Sequence, residues 1–165
     1  DGPAGVAHVL EHLVFKGSPD RAPGEIDAAV ERLGGELGAR TFRDATQYAV
    51  TVPAGAWRDA LALLSETLLR PALRPEDLAA ERPVLRDEMA LAAADPVRAG
   101  VAALVGRLFP DDDPYRRPLM GAPEDLEKID ADALRAFHAA AYRPERMSLV
   151  VVGAVDPDEV AAAAE

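Results

Sequence analysis

The sequence predicts an α+β fold in which helices pack on a small mixed or antiparallel sheet. Apolar residues recur at helical spacing in several long segments of the chain. Residues 47–52 instead alternate between polar and apolar side chains, and residues 149–152 form a continuous apolar run, both of which are typical of strands. Hydrophobic residues make up 49% of the 165, so the chain can bury one domain-sized core.

The predicted helices cover residues 3–16, 23–33, 54–70, 75–94, 97–108 and 130–142. Gly2 and Pro3 favour the start of the first helix, and Gly17 favours its end. The fourth helix contains Pro83, which removes a backbone hydrogen bond, so we predict a kink there or a new helix that begins at Pro83. A further helix is expected after Pro157.

The predicted strands cover residues 35–42, 46–52 and 146–153. The alternation in the second strand indicates one buried face and one exposed face. The continuous run Leu149 to Val152 in the third predicts a central strand that is covered on both faces. If a neighbouring strand lies outside the chain, we expect an exposed sheet edge.

Composition narrows the choice of partners. The formal net charge of −11 works against binding the phosphates of nucleic acid, and no basic patch with interleaved aromatic residues is present. The chain has no cysteine, which leaves histidine and carboxylate side chains as the metal ligands available to it. No run of about 18 apolar residues occurs, so we expect no membrane-spanning segment.

His8, Glu11 and His12 form an H-x-x-E-H motif within the first predicted helix. On a helix, His12 lies about 40° from His8 and Glu11 about 60° the other way, so all three share one face. Two imidazoles four residues apart can bind one tetrahedral zinc ion, and the carboxylate between them can act as a general base. The inverted zincin motif of zinc peptidases has this residue order.

A helix with two ligands needs a distant third ligand from another element. Glu88 is the best candidate, and Glu81 precedes it by seven positions on the same predicted helix. Seven residues rotate along a helix by about 20° less than two full turns, so the two carboxylates would lie on the same face of the helix. One of them could bind the metal while the other tunes it or relays protons.

Five segments of the chain, taken together with this motif, resemble the pitrilysin and insulin-degrading-enzyme (insulinase) family of zinc metallopeptidases. They are residues 7–18, 30–53, 81–88, 113–121 and 142–153. The spacing is nearest to bacterial members that are similar to mitochondrial processing peptidase. The resemblance implies the metalloenzyme fold of LuxS and of the processing peptidases, truncated at both ends in this chain.

The resemblance also implies roles for individual residues. It makes His8, His12 and Glu88 ligands of one Zn²⁺ per domain. It gives catalytic roles to Glu11 as general base and to Glu81 as a carboxylate immediately behind the ligands. Two positions depart from the family, because Gly38 stands where asparagine is usual in the edge strand and Pro83 is uncommon at its position. The metal triad itself is unbroken.

These features predict a zinc-dependent endopeptidase domain that hydrolyses extended peptides or unfolded polypeptide. Substrate would add to the edge strand near residues 36–41. We expect residues 1–165 to be the N-terminal domain of a longer chain, which works with a second homologous half in the same chain or in a partner subunit. The location expected is the cytoplasm. The alternatives are a non-catalytic structural or presenting subunit and a hydrolase of small amides or esters.

Two other polar features have simpler interpretations. His138 lies near the end of a predicted helix, where a histidine can interact with the helix dipole, so we predict a structural role for it. The acidic run 111–113 is expected to be a solvated loop, because no spaced oxygen ligands for calcium follow it.

Overall fold

The computed structural model describes residues 2–164, which form helices around one small sheet. The α-helices are α1 (Val6–Val14), α2 (Glu25–Arg32), α3 (Trp57–Leu69), α4 (Pro75–Ala94), α5 (Pro96–Leu108), α6 (Pro123–Lys128), α7 (Ala131–Ala141) and α8 (Pro157–Ala164). The strands are β1 (Glu36–Thr41) and β2 (Thr46–Thr51), and short 3-10 turns occupy Ala54–Ala56, Pro114–Arg116 and Pro144–Arg146. The predicted α+β class is confirmed.

The sheet is an antiparallel hairpin of β1 and β2. Its register runs from Glu36 opposite Thr51 to Thr41 opposite Thr46. The backbone N–H of Phe42 donates to the carbonyl of Ala45 at 2.7 Å, which closes the turn just beyond the last pair. Burial alternates along both strands, as the sequence predicted for the second one, so that one face of the hairpin lies against the helices.

Helix α1 lies at the centre of the core. Its apolar side chains are buried, and they belong to Val6, Val9, Leu10, Leu13 and Val14. They pack in one cluster with Leu85 of α4, Leu126 of α6 and Leu134 of α7. Each buried side chain of this size contributes about 1.5–3 kcal/mol relative to an exposed one, so α1 is held firmly from its apolar side.

Helix α4 runs through Pro83 without a break. The prediction of a new helix at Pro83 is therefore wrong. The lost hydrogen bond is offset by tertiary packing, because Leu78 and Leu85 are buried on either side of the proline. Pro75, by contrast, occupies the first turn of α4, where its missing N–H costs nothing.

Residues 146–153 do not form the central strand that the sequence predicted. Residues 147–152 pair with no strand, and Val150 and Val152 are 80% and 92% exposed. A strand needs a neighbour for its backbone groups, and within residues 2–164 the sheet consists of β1 and β2, which pair with each other. The apolar run is therefore suited to a strand, but residues 2–164 provide no neighbouring strand with which it pairs.

Some helix bounds also differ from the prediction. The first helix begins at Val6 instead of residue 3, and residues 54–56 form a 3-10 turn before α3 begins. Helix α6 was not predicted, because six residues are too few for a visible apolar period. Helix α8 begins at Pro157, as the sequence indicated.

Within residues 2–164, no single helix is long and apolar enough to cross a membrane. Helices α4 and α5 meet such a length and composition criterion only when they are taken together. They are bent by 83° at the junction between them.

Gly5 fixes the start of α1 against the loop before α6. It has a left-handed backbone with φ of 83°, and a Cβ atom there would overlap the carbonyl oxygen of Met120. We expect Gly5→Ala to lower the free energy of unfolding by about 3 kcal/mol, combining the left-handed strain with the steric overlap. Chemical denaturation measures this loss.

Two other glycines provide matched controls for Gly5→Ala. Gly24 is also left-handed, with φ of 84°, but nothing lies within 4 Å of a Cβ atom there, so Gly24→Ala should cost only about 1–2 kcal/mol. Gly100 lies inside α5 in open space, and Gly100→Ala should stabilise by about 0.5–1 kcal/mol. Equal losses for Gly5→Ala and Gly24→Ala would contradict the close approach to Met120.

Candidate metal centre

Helix α1 presents its polar residues on the side opposite its apolar stripe. His8 and His12 lie one turn apart, with ring centroids 4.8 Å apart in an edge-on arrangement. His8 is almost completely buried, whereas the side chain of His12 is 20% exposed. The helix thus holds two imidazoles side by side at a point where the core meets solvent.

Helix α4 brings Glu88 to these two rings. Its Oε2 atom lies 3.4 Å from Nε2 of His8 and 3.2 Å from Nε2 of His12. One ligand atom from each of the three residues lies within 4.8 Å of the others. Donors of a tetrahedral zinc site, at about 2.0–2.1 Å from the metal, are separated from one another by about 3.3–3.4 Å. The two distances from Glu88 therefore fit a tetrahedral metal site.

Glu81 lies behind His12 and does not belong to this triad. Its Oε1 accepts a hydrogen bond from Nδ1 of His12 at 2.9 Å, and its Oε2 accepts one from Nζ of Lys16 at 2.7 Å. Burial alone raises the pKa of Glu81, but these two hydrogen bonds outweigh it and hold that pKa below its usual value. Since an ionised carboxylate can only accept, Nδ1 of His12 is the donor, which leaves Nε2 of the neutral ring as the atom that can bind a metal.

His8 also suits a metal. Burial lowers the pKa of His8 below its ordinary value, against the opposing effect of the Glu88 carboxylate. The neutral imidazole is the form that binds metal. Because the pKa of His8 is lowered, protons compete less with a metal ion for its ring nitrogen at neutral pH.

Glu11, on the same helix as the two histidines, contacts the hairpin. The hydroxyl of Thr41, the last residue of β1, donates a hydrogen bond to Oε2 of Glu11. Beyond it, the hydroxyls of Tyr48 and Tyr142 lie 2.6 Å apart. Burial raises the pKa of both tyrosines, and the charge of Glu11 raises each further, so both are neutral beside this carboxylate.

Sequence reasoning missed Thr41 and Lys16. Lys16 is the fourth residue after His12 along the chain, a spacing that would have suggested a neighbour on the same helix face. Thr41 lies 30 positions from Glu11, and no local pattern relates the two. Only the packing of the hairpin against α1 brings them together.

The remaining polar features lie away from this centre. Nε2 of His138 lies 2.7 Å from the carbonyl oxygen of Leu68, and its ring stacks on Tyr142, so its contacts are those of a structural residue. Asp113 accepts from the backbone N–H of Tyr115, capping a short turn. The sequence predicted a structural role for His138 and a loop at residues 111–113.

A family model described as Insulinase (Peptidase family M16) matches residues 1–122, well over half of the chain. The chain belongs to the insulinase family. A second model, described as Peptidase M16 inactive domain, matches residues 128–165. The resemblance that the five sequence segments indicated is confirmed.

Two relatives match almost the whole chain. A protein of Mycobacterium leprae described as an uncharacterized zinc protease is 36% identical over 159 residues, which are 96% of this chain and 36% of the relative. The mitochondrial-processing peptidase subunit beta of Caenorhabditis elegans is 31% identical over 161 residues, which are 98% of this chain and 35% of that protein.

A solved structure agrees with the architecture. The crystal structure of a protease from Helicobacter pylori superposes with a TM-score of 0.88 at 28% identity. That comparison covers 99% of this chain and 40% of the other. The chain thus spans between a third and two-fifths of the length of these three relatives.

Proposed function

We propose that this chain is a zinc-dependent endopeptidase domain that hydrolyses peptide bonds in extended peptides or unfolded polypeptide. The observation that carries the proposal is the convergence of His8, His12 and Glu88 from two helices, with Glu11 beside them on α1. Membership of the insulinase family and relatives described as zinc proteases support it.

His8, His12 and Glu88 would hold one Zn²⁺ per domain through Nε2, Nε2 and a carboxylate oxygen. Two imidazoles and one carboxylate are a common donor set of catalytic zinc sites, and they leave a fourth position for water or substrate. When bound, zinc polarises the substrate carbonyl as a Lewis acid and lowers the pKa of water. Glu81 orients His12 by accepting its Nδ1 proton, and Lys16 fixes Glu81 in turn.

Glu11 acts as the general base. Its carboxylate takes a proton from the water that attacks the peptide carbonyl and then delivers this proton to the leaving amine. It lies one residue before His12, so the metal ligand and the base come from the same rigid turn of α1. Glu81 cannot take this role, because both of its oxygens are already bound by His12 and Lys16.

Strand β1 would align the substrate backbone. It pairs with β2 along one edge, and no other strand of residues 2–164 pairs with its second edge. An extended peptide can add to such an edge through main-chain hydrogen bonds, which favours unfolded polypeptide over compact proteins. Gly38, where the family usually has asparagine, has open space around it and offers only backbone groups to the substrate.

A second homologous half would complete the enzyme, in the same chain or in a partner subunit, with residues 1–165 forming one N-terminal domain. Two facts support this arrangement. The relatives are two and a half to three times as long as the matched segment, and the Caenorhabditis elegans relative is named as a subunit. A purely structural or presenting subunit is a weaker explanation, because such a role would not need the complete ligand set and base.

The test is to measure zinc and peptide hydrolysis together in the full chain with any second half that it requires. We expect about one tightly held zinc per domain, loss of both zinc and activity in a His8→Ala/His12→Ala variant, and recovery of activity when zinc is returned to chelator-treated wild type. A protein that hydrolyses no extended peptide and holds no zinc would overturn the proposal in favour of the structural subunit.

A further inference from the structure

Thr41 makes a contact that the proposed roles do not explain. Its side chain is buried between α1 and the hairpin, and its hydroxyl donates to the carboxylate of Glu11. An ionised carboxylate can only accept, so the Thr41 hydroxyl is the donor to Glu11. Since that hydroxyl has one hydrogen, Oγ1 of Thr41 can then only accept from Thr46, whose Oγ1 lies 3.4 Å away.

The backbone of Thr41 is held from several sides. It forms the last pair of the ladder with Thr46, and the hydrogen bond between Phe42 and Ala45 closes the turn next to it. Thr41 is also the end of the strand whose free edge would align the substrate. The strand that would align the substrate therefore also contacts the proposed general base, Glu11.

We propose that Thr41 is a positioning residue that locks one oxygen of Glu11 and leaves the other free to accept the proton of the attacking water. This inference rests on the proposed function. One lone-pair direction of Glu11 is occupied by the Thr41 hydroxyl, which restricts rotation of the carboxylate about its terminal bond. The orientation of the base is then tied to strand β1 and therefore to the position of the substrate.

The test compares Thr41→Val, which has the same shape but no hydroxyl, with Thr41→Ser, which keeps the hydroxyl. We expect Thr41→Val to lower kcat by about 10–100-fold, with KM changed less than about twofold and zinc content unchanged. Thr41→Ser should restore kcat to within about threefold of wild type. The measurements are steady-state kinetics on an extended peptide and zinc per chain.

Thr67→Val is the matched control. Thr67 is buried in α3 and donates to the carbonyl of Leu63 at 2.7 Å, so the change removes an equally buried hydroxyl away from the metal centre. Its kcat should stay at the wild-type value even where its melting temperature falls as far as that of Thr41→Val. A kcat loss that follows the melting temperature in both variants would overturn the positioning role.

A double variant separates this inference from the proposed function. In a Glu11→Gln background, Thr41→Val should add less than about twofold to the loss of kcat, because its effect acts through Glu11. If Glu11→Gln is inactive and Thr41→Val keeps the wild-type kcat, the positioning role is wrong and the proposed function stands. If Glu11→Gln keeps full turnover, another group is the base and the positioning role of Thr41 is wrong, while zinc-dependent peptide hydrolysis itself stands.

Discussion

Glu11→Gln is expected to keep its zinc and to lose peptide hydrolysis, with kcat lower by about 10²–10⁴-fold. The amide cannot accept the proton of the attacking water, and it has no comparable basicity for later transfer to the leaving amine. The amide oxygen can still accept from Thr41, so the substitution should disturb the geometry little. The measurements are steady-state kinetics on an extended peptide and zinc per chain by elemental analysis.

Glu31→Gln is the matched control for this variant. Glu31 is an exposed residue of α2, so its substitution makes the same change in net charge on a helix that contributes nothing to the metal centre. Its kcat should equal that of wild type. Full turnover in Glu11→Gln would mean that another group is the base, and a variant that had lost its zinc would show that Glu11 supports the metal instead.

The H-x-x-E-H motif could be found in the sequence because its geometry is local. Positions 8, 11 and 12 share a face of any α-helix, and α1 forms because its opposite face is strongly apolar. The distance between Glu88 and the two imidazoles depends on how α4 packs against α1, and the motif carries no information about that packing. The family resemblance supplied that pairing, and the contact of Glu88 with both rings agrees with it.

The residues that the sequence did not reveal act through contacts between distant elements. Thr41 meets Glu11 because the hairpin packs on α1, and neither residue type nor spacing indicates this contact. No role was predicted for Lys16, although its Nζ binds the carboxylate that orients His12. Common polar residues become informative only when their partners are known.

The error at residues 146–153 has a different physical origin. A continuous apolar run reports that a segment is suited to burial and to extended backbone, and both are properties of the segment itself. Strand formation also requires a neighbour in register. In the structure Val150 and Val152 are exposed and pair with no strand, and the sequence of the segment alone does not predict this.

Glu88→Ala is expected to weaken zinc binding far more than Glu81→Ala does. Glu88 supplies one of three ligand atoms, so its removal should cost on the order of 10³-fold or more in affinity. Glu81 only orients His12 through Nδ1, and loss of such a supporting contact typically costs about 10–100-fold. Competition with a chromophoric chelator at fixed pH measures both affinities.

Two further variants on the same helix sharpen this comparison. Glu81→Gln keeps an oxygen that can accept from Nδ1 of His12, so it should bind zinc more tightly than Glu81→Ala. Glu76→Ala removes an exposed carboxylate from the first turn of α4 and should leave zinc affinity unchanged. Equal losses from Glu88→Ala and Glu81→Ala would overturn the ligand assignment, since a direct ligand should cost far more affinity than a residue that only orients one. Because Glu81 is bound on both oxygens while Glu88 faces the two Nε2 atoms, the contacts favour Glu88 as the ligand.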